Sequence, residues 1–241
     1  MTGTIINIIA ILLGGTVGTK LGSRLPLKIQ ETVMHGLGLM VVVLGFSMAL
    51  TSQNLLVVLG SVLLGGIIGE LARIEDGLEW LGNWLERRFG QPDDAAQGRS
   101  ITRAFVTSSL VFCVGPLAVI GSILDGLTGN YQPLAIKSML DGFASLAFSA
   151  SLGPGVLFST VPVLVYQGGL SLMAQLLGSS MAGITADNPA VIEMSATGGV
   201  LIVGIGLILL DLKKIRVGNF LPALVIAPLV VVLLAMAGIS L

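Results

Sequence analysis

Charged residues are scarce in this sequence: Asp, Glu, Lys and Arg make up 10% of its 241 residues. A soluble globular domain carries roughly 25%, and 54% of this chain is hydrophobic, so the composition indicates an integral membrane protein. The net charge of −1 and the single histidine argue against a nucleic-acid partner and against a histidine-rich metal cage. The single cysteine, Cys113, cannot form an internal disulfide. We expect it to be a small buried apolar side chain.

Motifs of known enzymes are also missing. The sequence contains no P-loop, dinucleotide fingerprint, His-Glu-x-x-His motif or nucleophile elbow. The only histidine, His35, has no visibly matched serine. We therefore expect neither an enzyme nor a cofactor, and the sequence leaves open whether a metal binds. The N-terminus lacks the basic leader and cleavage site of a secretory signal, so we expect the first apolar segment to remain in place.

Eight apolar segments are long enough to cross a membrane, which takes about 20 helical residues. They lie at approximately 2–20, 31–51, 54–73, 101–128, 132–151, 154–182, 190–212 and 218–240. The predicted fold is an all-α integral membrane protein of about eight transmembrane helices in contact with the lipid bilayer. The 33 glycines suit close contact between helices in lipid. They are also compatible with a homo-oligomer, whose number the sequence does not give.

Lysine and arginine set the predicted orientation, because they favour the cytoplasmic side. They cluster in the connections after the first, third and seventh spans, which share one side if there are eight crossings. These residues are Lys20, Arg24, Lys28, Arg73, Arg87, Arg88, Arg99, Arg103, Lys213, Lys214 and Arg216. We therefore expect a multi-pass protein of the bacterial inner membrane with both termini outside. The uncharged connection at 149–155 is either a loop or a break in mid-membrane.

The segment Ile74–Phe89 is the only large polar interruption, together with the linker that follows it up to residue 100. Its apolar residues recur at helical spacing and its charges lie on the other face. The two tryptophans, Trp80 and Trp84, suit the depth of lipid headgroups. The pattern predicts an amphipathic helix on the cytoplasmic surface of the membrane.

The chain also resembles itself. Residues Glu31–Gly45 align without gaps with Glu193–Leu207, and Asn54 matches Asn219. The matched spans are five apart, so the two copies enter the membrane in opposite directions, as in many secondary transporters. The predicted segments are repeat 1 at 1–73, a cytoplasmic helix and linker at 74–100, a central hairpin at 101–152 and repeat 2 at 153–241. A duplication that only builds a stable bundle is the alternative.

Two aspartates and a lysine interrupt the apolar middle of the chain: Asp125, Lys137 and Asp141. Each charge costs about 2.5–3.5 kcal/mol at a helix centre, against gains of about 0.3–0.6 for a Leu or Ile. Such a group is kept if it is paired, faces water or has a function. Lys137 and Asp141 are four residues apart and can pair on one helix face.

We predict that Asp141 binds an ion or proton, with Lys137 as its counter-charge or as an anchor for an anion. Asp125 is predicted to be a second, outer carboxylate. The alternatives are a purely structural ion pair for Lys137 and Asp141, and for Asp125 a solvated residue or a residue of the helix's C-terminal turn beside Gly126. Other polar residues are expected to be interfacial or to bond neighbouring helices: Asn7, Glu31, His35, Glu70, Gln175, Glu193 and Asp211.

Helix breaks are predicted on both sides of this hairpin. Proline removes a hydrogen bond inside a helix, and the free amides and carbonyls at a break can bind ions at mid-membrane. The residues predicted to line the site at such breaks are Gly115, Pro116, Gly153, Pro154, Gly168 and Gly169. Tyr166 and Gln167 are predicted neutral ligands. A kink used only for packing is the alternative.

The elements Val-Gly-Pro, Leu-Asp-Gly and Tyr-Gln-Gly-Gly lie in the stretch from Phe112 to Gly169. This stretch resembles the central segment of the YqgA/YdfK-like family of bacterial membrane proteins, which carries a domain-of-unknown-function label. The N-terminal sequence GGTVGTKLGSRLP is similar to that family as well. The resemblance implies a multi-spanning inner-membrane protein and brings no activity or functional residues.

The inverted repeat around a charged hairpin favours a secondary transporter or channel-like permease for an ion or small charged solute. The alternative is a non-transporting scaffold or regulator that acts through the cytoplasmic segment 74–100.

Overall fold

The computed structural model describes residues 1–22, 26–90, 100–177, 185 and 187–238. These parts of the chain are helical and contain no strand. Arg24, Arg99 and the predicted linker at 91–99 lie outside the described residues. The all-α prediction is confirmed.

The first helices in the chain are α1 (Thr2–Gly22), α2 (Leu27–Ala49), α3 (Leu55–Ala72), α4 (Ile74–Phe89), α5 (Ile101–Cys113), α6 (Pro116–Thr128) and α7 (Gln132–Leu152). The next helix, α8, is irregular: it consists of a 3-10 segment (Pro154–Ser159), a short α segment (Thr160–Val163), a π segment (Leu164–Gly168) and an α segment (Gly169–Leu177). Then come α9 (Pro189–Leu209), a 3-10 turn (Val217–Phe220) and α10 (Ala223–Met236).

Several of these helices can cross a membrane. Within the described residues, six helices are long and apolar enough to cross a membrane, namely α1, α2, α3, α8, α9 and α10 with its preceding turn. The α5–α6 pair, bent by 63°, passes as one broken span. Helix α7 has 21 residues, about 31 Å at 1.5 Å per residue, but it is not among the helices that pass. Six or seven candidate spans are thus present, and the count of eight, which depends on α7, stays a prediction.

The chain divides into two compact units. The first comprises Met1–Leu37, Glu79–Cys113 and Leu117–Gly183, and the second Gly38–Leu78, Val114–Pro116 and Ile184–Leu241. These units are defined by which residues contact each other in space. The four predicted segments were instead defined by the proposed internal repeat. The predicted boundaries at 73, 100 and 152 are therefore untested and stay predictions.

In the first unit, α1 lies directly against α7. A Cβ added to Gly3 would lie 2.5 Å from Cβ of Leu134, and one added to Gly22 would lie 2.7 Å from Cα of Ala150. Normal carbon contacts are about 3.5–4.0 Å, so the missing side chains are what allow this approach. Residue numbers rise together along both helices, which means that they run parallel. Helix α7 thus follows the candidate span α1 along its length.

The chain reverses direction at Gly153, beside the C-terminal end of α1. Gly153 has φ of 98°, a left-handed conformation that suits glycine. Helix α8 then returns along α1 in the opposite sense, since a Cβ at Gly15 would lie 2.6 Å from Leu157 and one at Gly168 would lie 3.0 Å from Met1. Of the two interpretations of this connection, the reversal at a helix end favours the loop.

The predicted amphipathic helix is confirmed as α4, with the bounds Ile74–Phe89. Leu85 is buried against Ile101 and Phe105 of α5. Trp80 and Trp84 are 70% and 51% exposed, which is compatible with contact to lipid headgroups. The position of α4 on the cytoplasmic surface stays a prediction.

In the second unit, α2 lies against α9 and α3 against α10. A Cβ at Gly38 would lie 3.2 Å from Leu209, and one at Gly199 would lie 2.5 Å from the backbone nitrogen of Ala49. Residue numbers rise along α2 while they fall along α9, so the two helices are antiparallel. In the same way Gly65 of α3 faces Ala223, whereas Gly69, one turn later, faces Asn219, the earlier residue. This pair is antiparallel as well.

Candidate ion-binding site

Lys137 and Asp141 form a buried ion pair on α7. Nζ of Lys137 donates a hydrogen bond to Oδ2 of Asp141. Lys137 is 5% exposed and Asp141 is 8% exposed. The predicted contact between the two side chains is confirmed. Their role in binding an ion is untested and stays a prediction.

Two buried amides from other helices adjoin the pair. Nδ2 of Asn7 in α1 donates to Oδ2 of Asp141 at 2.9 Å and to Oε1 of Gln167 in α8 at 3.3 Å. Asn7 and Gln167 are both fully buried. Asn7 was expected only to bond a neighbouring helix; it does so, but its partner is the predicted ion-binding carboxylate. No sequence motif marks Asn7, because only tertiary packing places α1 beside α7.

The position of Gln167 follows from the local helix geometry. It lies in the π segment Leu164–Gly168, and π turns inside α-helices occur frequently at functional sites. Three elements therefore supply the polar cluster: α1, α7 and the π segment of α8. The prediction that Gln167 lies near Asp141 agrees with this geometry, and its role as a ligand stays a prediction.

Several polar atoms of this cluster have no hydrogen-bond partner among the described residues. They are Oγ1 of Thr4, Oδ1 of Asn7 and Nε2 of Gln167, all fully buried. Thr4 lies three residues before Asn7 on α1, so it is on the same face. A buried polar group left unsatisfied costs about 1–3 kcal/mol. The cluster therefore has the capacity to bind a further polar group or ion.

Asp125 lies in α6, and its carboxylate contacts the N-terminal end of α1. It is buried, and its Oδ2 accepts a hydrogen bond from the backbone nitrogen of Gly3 at 3.0 Å. The same oxygen lies 3.1 Å from the amino group of Met1. A carboxylate at a helix N-terminus is favoured by the helix dipole. Asp125 is not solvated, but it does lie in the last turn of α6, as the alternative of a C-terminal turn residue expected. Its role as an outer binding carboxylate stays a prediction.

Cys113, which the sequence did not connect with the site, lies close enough to the ion pair to interact with its charges. It is the last residue of α5 and interacts electrostatically with Lys137 and Asp141. Tyr166 in turn interacts electrostatically with Cys113. Cys113 is half-buried, and its role as a small buried apolar side chain stays a prediction. Its proximity to the charges follows from the position at which α5 ends, which periodicity does not reveal.

The predicted helix breaks are present at two of the three places. Gly115 has φ of 135° between α5 and α6, and Gly153 has φ of 98° between α7 and α8. Each is followed by a proline that begins the next helix, where proline is tolerated. At Gly168 and Gly169 the helix continues and changes from π to α geometry. The irregularity there is a change of helix type rather than a break.

Outside this polar cluster, the other candidate binding features are a cavity and possible metal-binding groups. A cavity of about 250 Å³ lies in the second unit, among apolar side chains of α3, α9 and the turn Val217–Phe220. None of the predicted site residues lines it. Among the described residues, no group of three or more His, Cys, Asp or Glu side chains could hold a metal ion.

Glu193 is a second buried carboxylate. It accepts hydrogen bonds from Oγ of Ser52 at 2.7 Å and from the backbone nitrogens of Gln53 and Asn54 at 2.7 and 2.9 Å. Asn54 itself caps α3. Glu193 is fully buried within the protein, and its position near the start of α9 leaves the prediction of an interfacial depth untested. Its contacts show that it fixes the turn between α2 and α3.

The apolar helices and the buried polar cluster define a multi-spanning α-helical membrane protein. The chain belongs to the family described as "Protein of unknown function (DUF554)", which matches residues 2–232.

Two curated relatives are similar to the chain over nearly its whole length. One is the uncharacterized protein YqgA of Escherichia coli (strain K12), 30% identical over 226 residues, which are 93% of this chain and 94% of that protein. The other is the uncharacterized membrane protein YdfK of Bacillus subtilis (strain 168), 28% identical over 244 residues and 99% of each chain. No solved structure matches the chain. The resemblance seen in the sequence is confirmed, and neither relative's name states an activity.

Proposed function

We propose that the protein is an inner-membrane secondary transporter or channel-like permease for an ion or small charged solute, with both termini outside. The observation that carries this proposal is the buried Lys137–Asp141 pair with the buried amides of Asn7 and Gln167. Oδ1 of Asn7 can accept a further hydrogen bond, and Nε2 of Gln167 can donate one. Ionisable residues inside membrane helices are costly and mark ion or proton pathways in many membrane proteins.

The depth of the pair supports this function. Asp141 lies nine residues after the first residue of α7, Gln132, which is about 14 Å at 1.5 Å per residue. The hydrocarbon core is about 30 Å thick, and α7 follows the candidate span α1 along its length. These values support a position for Asp141 near mid-membrane, where transporters commonly bind their substrates.

The antiparallel helix pairs support an inverted repeat. The predicted duplication matches α1, α2 and α3 with α8, α9 and α10. Each helix lies antiparallel to its match: α1 against α8 within the first unit, and α2 against α9 and α3 against α10 within the second. Inverted repeats give secondary transporters inward- and outward-facing states of similar energy.

The direct test is ion flux in proteoliposomes that contain the purified full chain. We expect flux of at least one small ion, and loss of that flux in Asp141→Asn, because the carboxylate is the proposed ligand. Asp187→Asn, at an exposed position, is the matched control and should keep the flux. Unchanged flux in Asp141→Asn would remove Asp141 from the mechanism. Absence of flux for every small cation and anion tested would reject the transport class.

A scaffold or regulator is the second candidate, because α4 exposes Trp80 and Trp84. In that case Trp80→Ala with Trp84→Ala, or removal of residues 91–99, should abolish a cellular phenotype of the gene deletion. Asp141→Asn should then be silent in the same assay. The opposite pattern would exclude this candidate.

A further inference from the structure

We propose that Asp141 binds one monovalent cation in competition with the ammonium group of Lys137, so that each cation bound is exchanged for one proton from Lys137. This inference rests on the proposed transport function and specifies its substrate class. It also makes the exchange electroneutral at the site.

The charge of the cluster indicates a monovalent ion. Asp141 contributes one negative charge, Lys137 matches it with one positive charge, and the hydrogen-bonded amides of Asn7 and Gln167 are neutral. Charges that are buried without a partner are strongly disfavoured. A monovalent cation on Asp141 reproduces the charge that the lysine now supplies, whereas a divalent cation would leave an unbalanced positive charge.

The oxygen atoms around Asp141 indicate a cation rather than an anion. Oδ2 of Asp141 accepts from Asn7, which also donates to Oε1 of Gln167. On the same face of α1, two buried oxygens have no partner among the described residues, Oδ1 of Asn7 and Oγ1 of Thr4. In channels, cations are held by rings of carbonyl oxygens or of Asp and Glu carboxylates, and a carboxylate and amide carbonyls are the oxygens present here. An anion could use Lys137 and Nε2 of Gln167, but it would have to lie beside the carboxylate of Asp141. Repulsion between like charges therefore favours the cation.

The exchange balances in charge and in protons. In the observed state, the ammonium of Lys137 donates to Oδ2 of Asp141. When a cation M⁺ binds to the carboxylate, the ammonium releases H⁺ to water and becomes a neutral amine, which needs no counter-charge. One positive charge enters the cluster and one leaves it. The reverse reaction, protonation of the amine and release of M⁺, restores the observed pair.

Other titratable groups face this pair from neighbouring helices. Cys113 at the end of α5 interacts with both charges, and Tyr166 of α8 interacts with Cys113. On α1, the side chain that contacts Asp141 is the neutral Asn7. The charge of Lys137 is thus the counter-charge that the geometry assigns to Asp141.

The test uses the full chain in proteoliposomes with a pH-sensitive dye trapped inside. Sodium is imposed as a gradient, and the membrane potential is clamped to zero with potassium and valinomycin or left free; a parallel series replaces sodium by lithium. We expect a cation gradient to drive a proton flux in the opposite direction. The rate of this proton flux should be the same whether the membrane potential is clamped or free. In Lys137→Met we expect cation exchange, followed with radioactive sodium, to continue while the coupled proton flux is lost, because the side chain that carries the exchanged proton is absent.

Two further variants separate folding from coupling. Lys137→Arg keeps the charge but cannot release its proton, so it should fold and yet lose cation exchange. Lys213→Met, at an exposed position, should keep both fluxes. Size-exclusion profiles that match the unmodified chain verify folding for each variant.

The outcomes distinguish the proposed cation–proton exchange from the transport function on which it rests. Voltage-dependent exchange, unchanged proton coupling in Lys137→Met, or transport of an anion without any cation would overturn this inference and leave the transport function standing. No flux of any ion in the unmodified chain would overturn the transport function itself.

Discussion

Removing one member of the Lys137–Asp141 pair should destabilise the protein far more than removing both. In Lys137→Met, the carboxylate of Asp141 keeps only the hydrogen bond from Asn7. In Asp141→Asn, the ammonium of Lys137 is left beside a neutral amide. Loss of one partner of a buried ion pair costs about 3–5 kcal/mol, whereas replacement of both by neutral groups is often nearly neutral.

The double variant Lys137→Met/Asp141→Asn should therefore be no less stable than either single variant, which gives a coupling free energy of about 3 kcal/mol or more. The hydrogen bond from Asn7 is a smaller term, since such bonds in a membrane protein average about 0.6 kcal/mol in double-mutant cycles. Asn7→Leu should thus cost clearly less than either charge removal. The ion pair, rather than the amide, dominates the stability of the cluster.

The free energy of unfolding is measured by titration of detergent-solubilised protein with sodium dodecyl sulfate. Circular dichroism is the preferred signal, because both tryptophans lie on α4 and their fluorescence would report mainly that helix. Effects of the two single variants that add within about 0.5 kcal/mol in the double variant would refute the reasoning. They would mean that the two charges do not interact in the folded protein.

Three further predictions concern the scaffold around the site. Gly18→Leu should destabilise the chain by about 1–3 kcal/mol or more, because a Cβ there would lie 2.9 Å from Cα of Leu146 in α7 and closer still to its carbonyl oxygen. Gly60→Leu, with nothing within 4 Å of a Cβ, should be neutral in the same unfolding titration. Glu193→Gln should cost about 1–3 kcal/mol and speed amide hydrogen exchange at the start of α3, measured by mass spectrometry. A single cysteine at Lys213, with Cys113 replaced by alanine, should react with a membrane-impermeant maleimide only when the cytoplasmic side is accessible.

Each of these has a result that would contradict it. Equal effects of the two glycine substitutions would mean that α1 and α7 are not in close contact. Unchanged exchange in Glu193→Gln would show that its hydrogen bonds do not fix the turn before α3. Labelling of the cysteine at position 213 in intact cells, without permeabilisation, would reverse the proposed orientation.

Part of the site was predictable because covalent spacing fixes it. Lys137 and Asp141 are four residues apart on one helix, so their contact follows from helix geometry alone. Gly115 and Gly153 precede prolines, and these pairs correctly marked the helix breaks. Asn7 was not predicted, since its place beside Asp141 depends on how α1 lies against α7, some 130 residues away along the chain. The burial of Asp125 and Glu193 was missed for the same reason.

The sequence by itself determined that this is an all-α membrane protein, because its apolar segments can satisfy their backbone hydrogen bonds in lipid only as helices. It also determined which residues bear charge within them. Only the tertiary structure decided what those charges contact. Glycines let α1 approach α7, the chain reverses at Gly153, and a π segment places Gln167 beside Asn7. These are contacts between distant parts of the chain, and their geometry depends on how whole helices pack rather than on any local pattern.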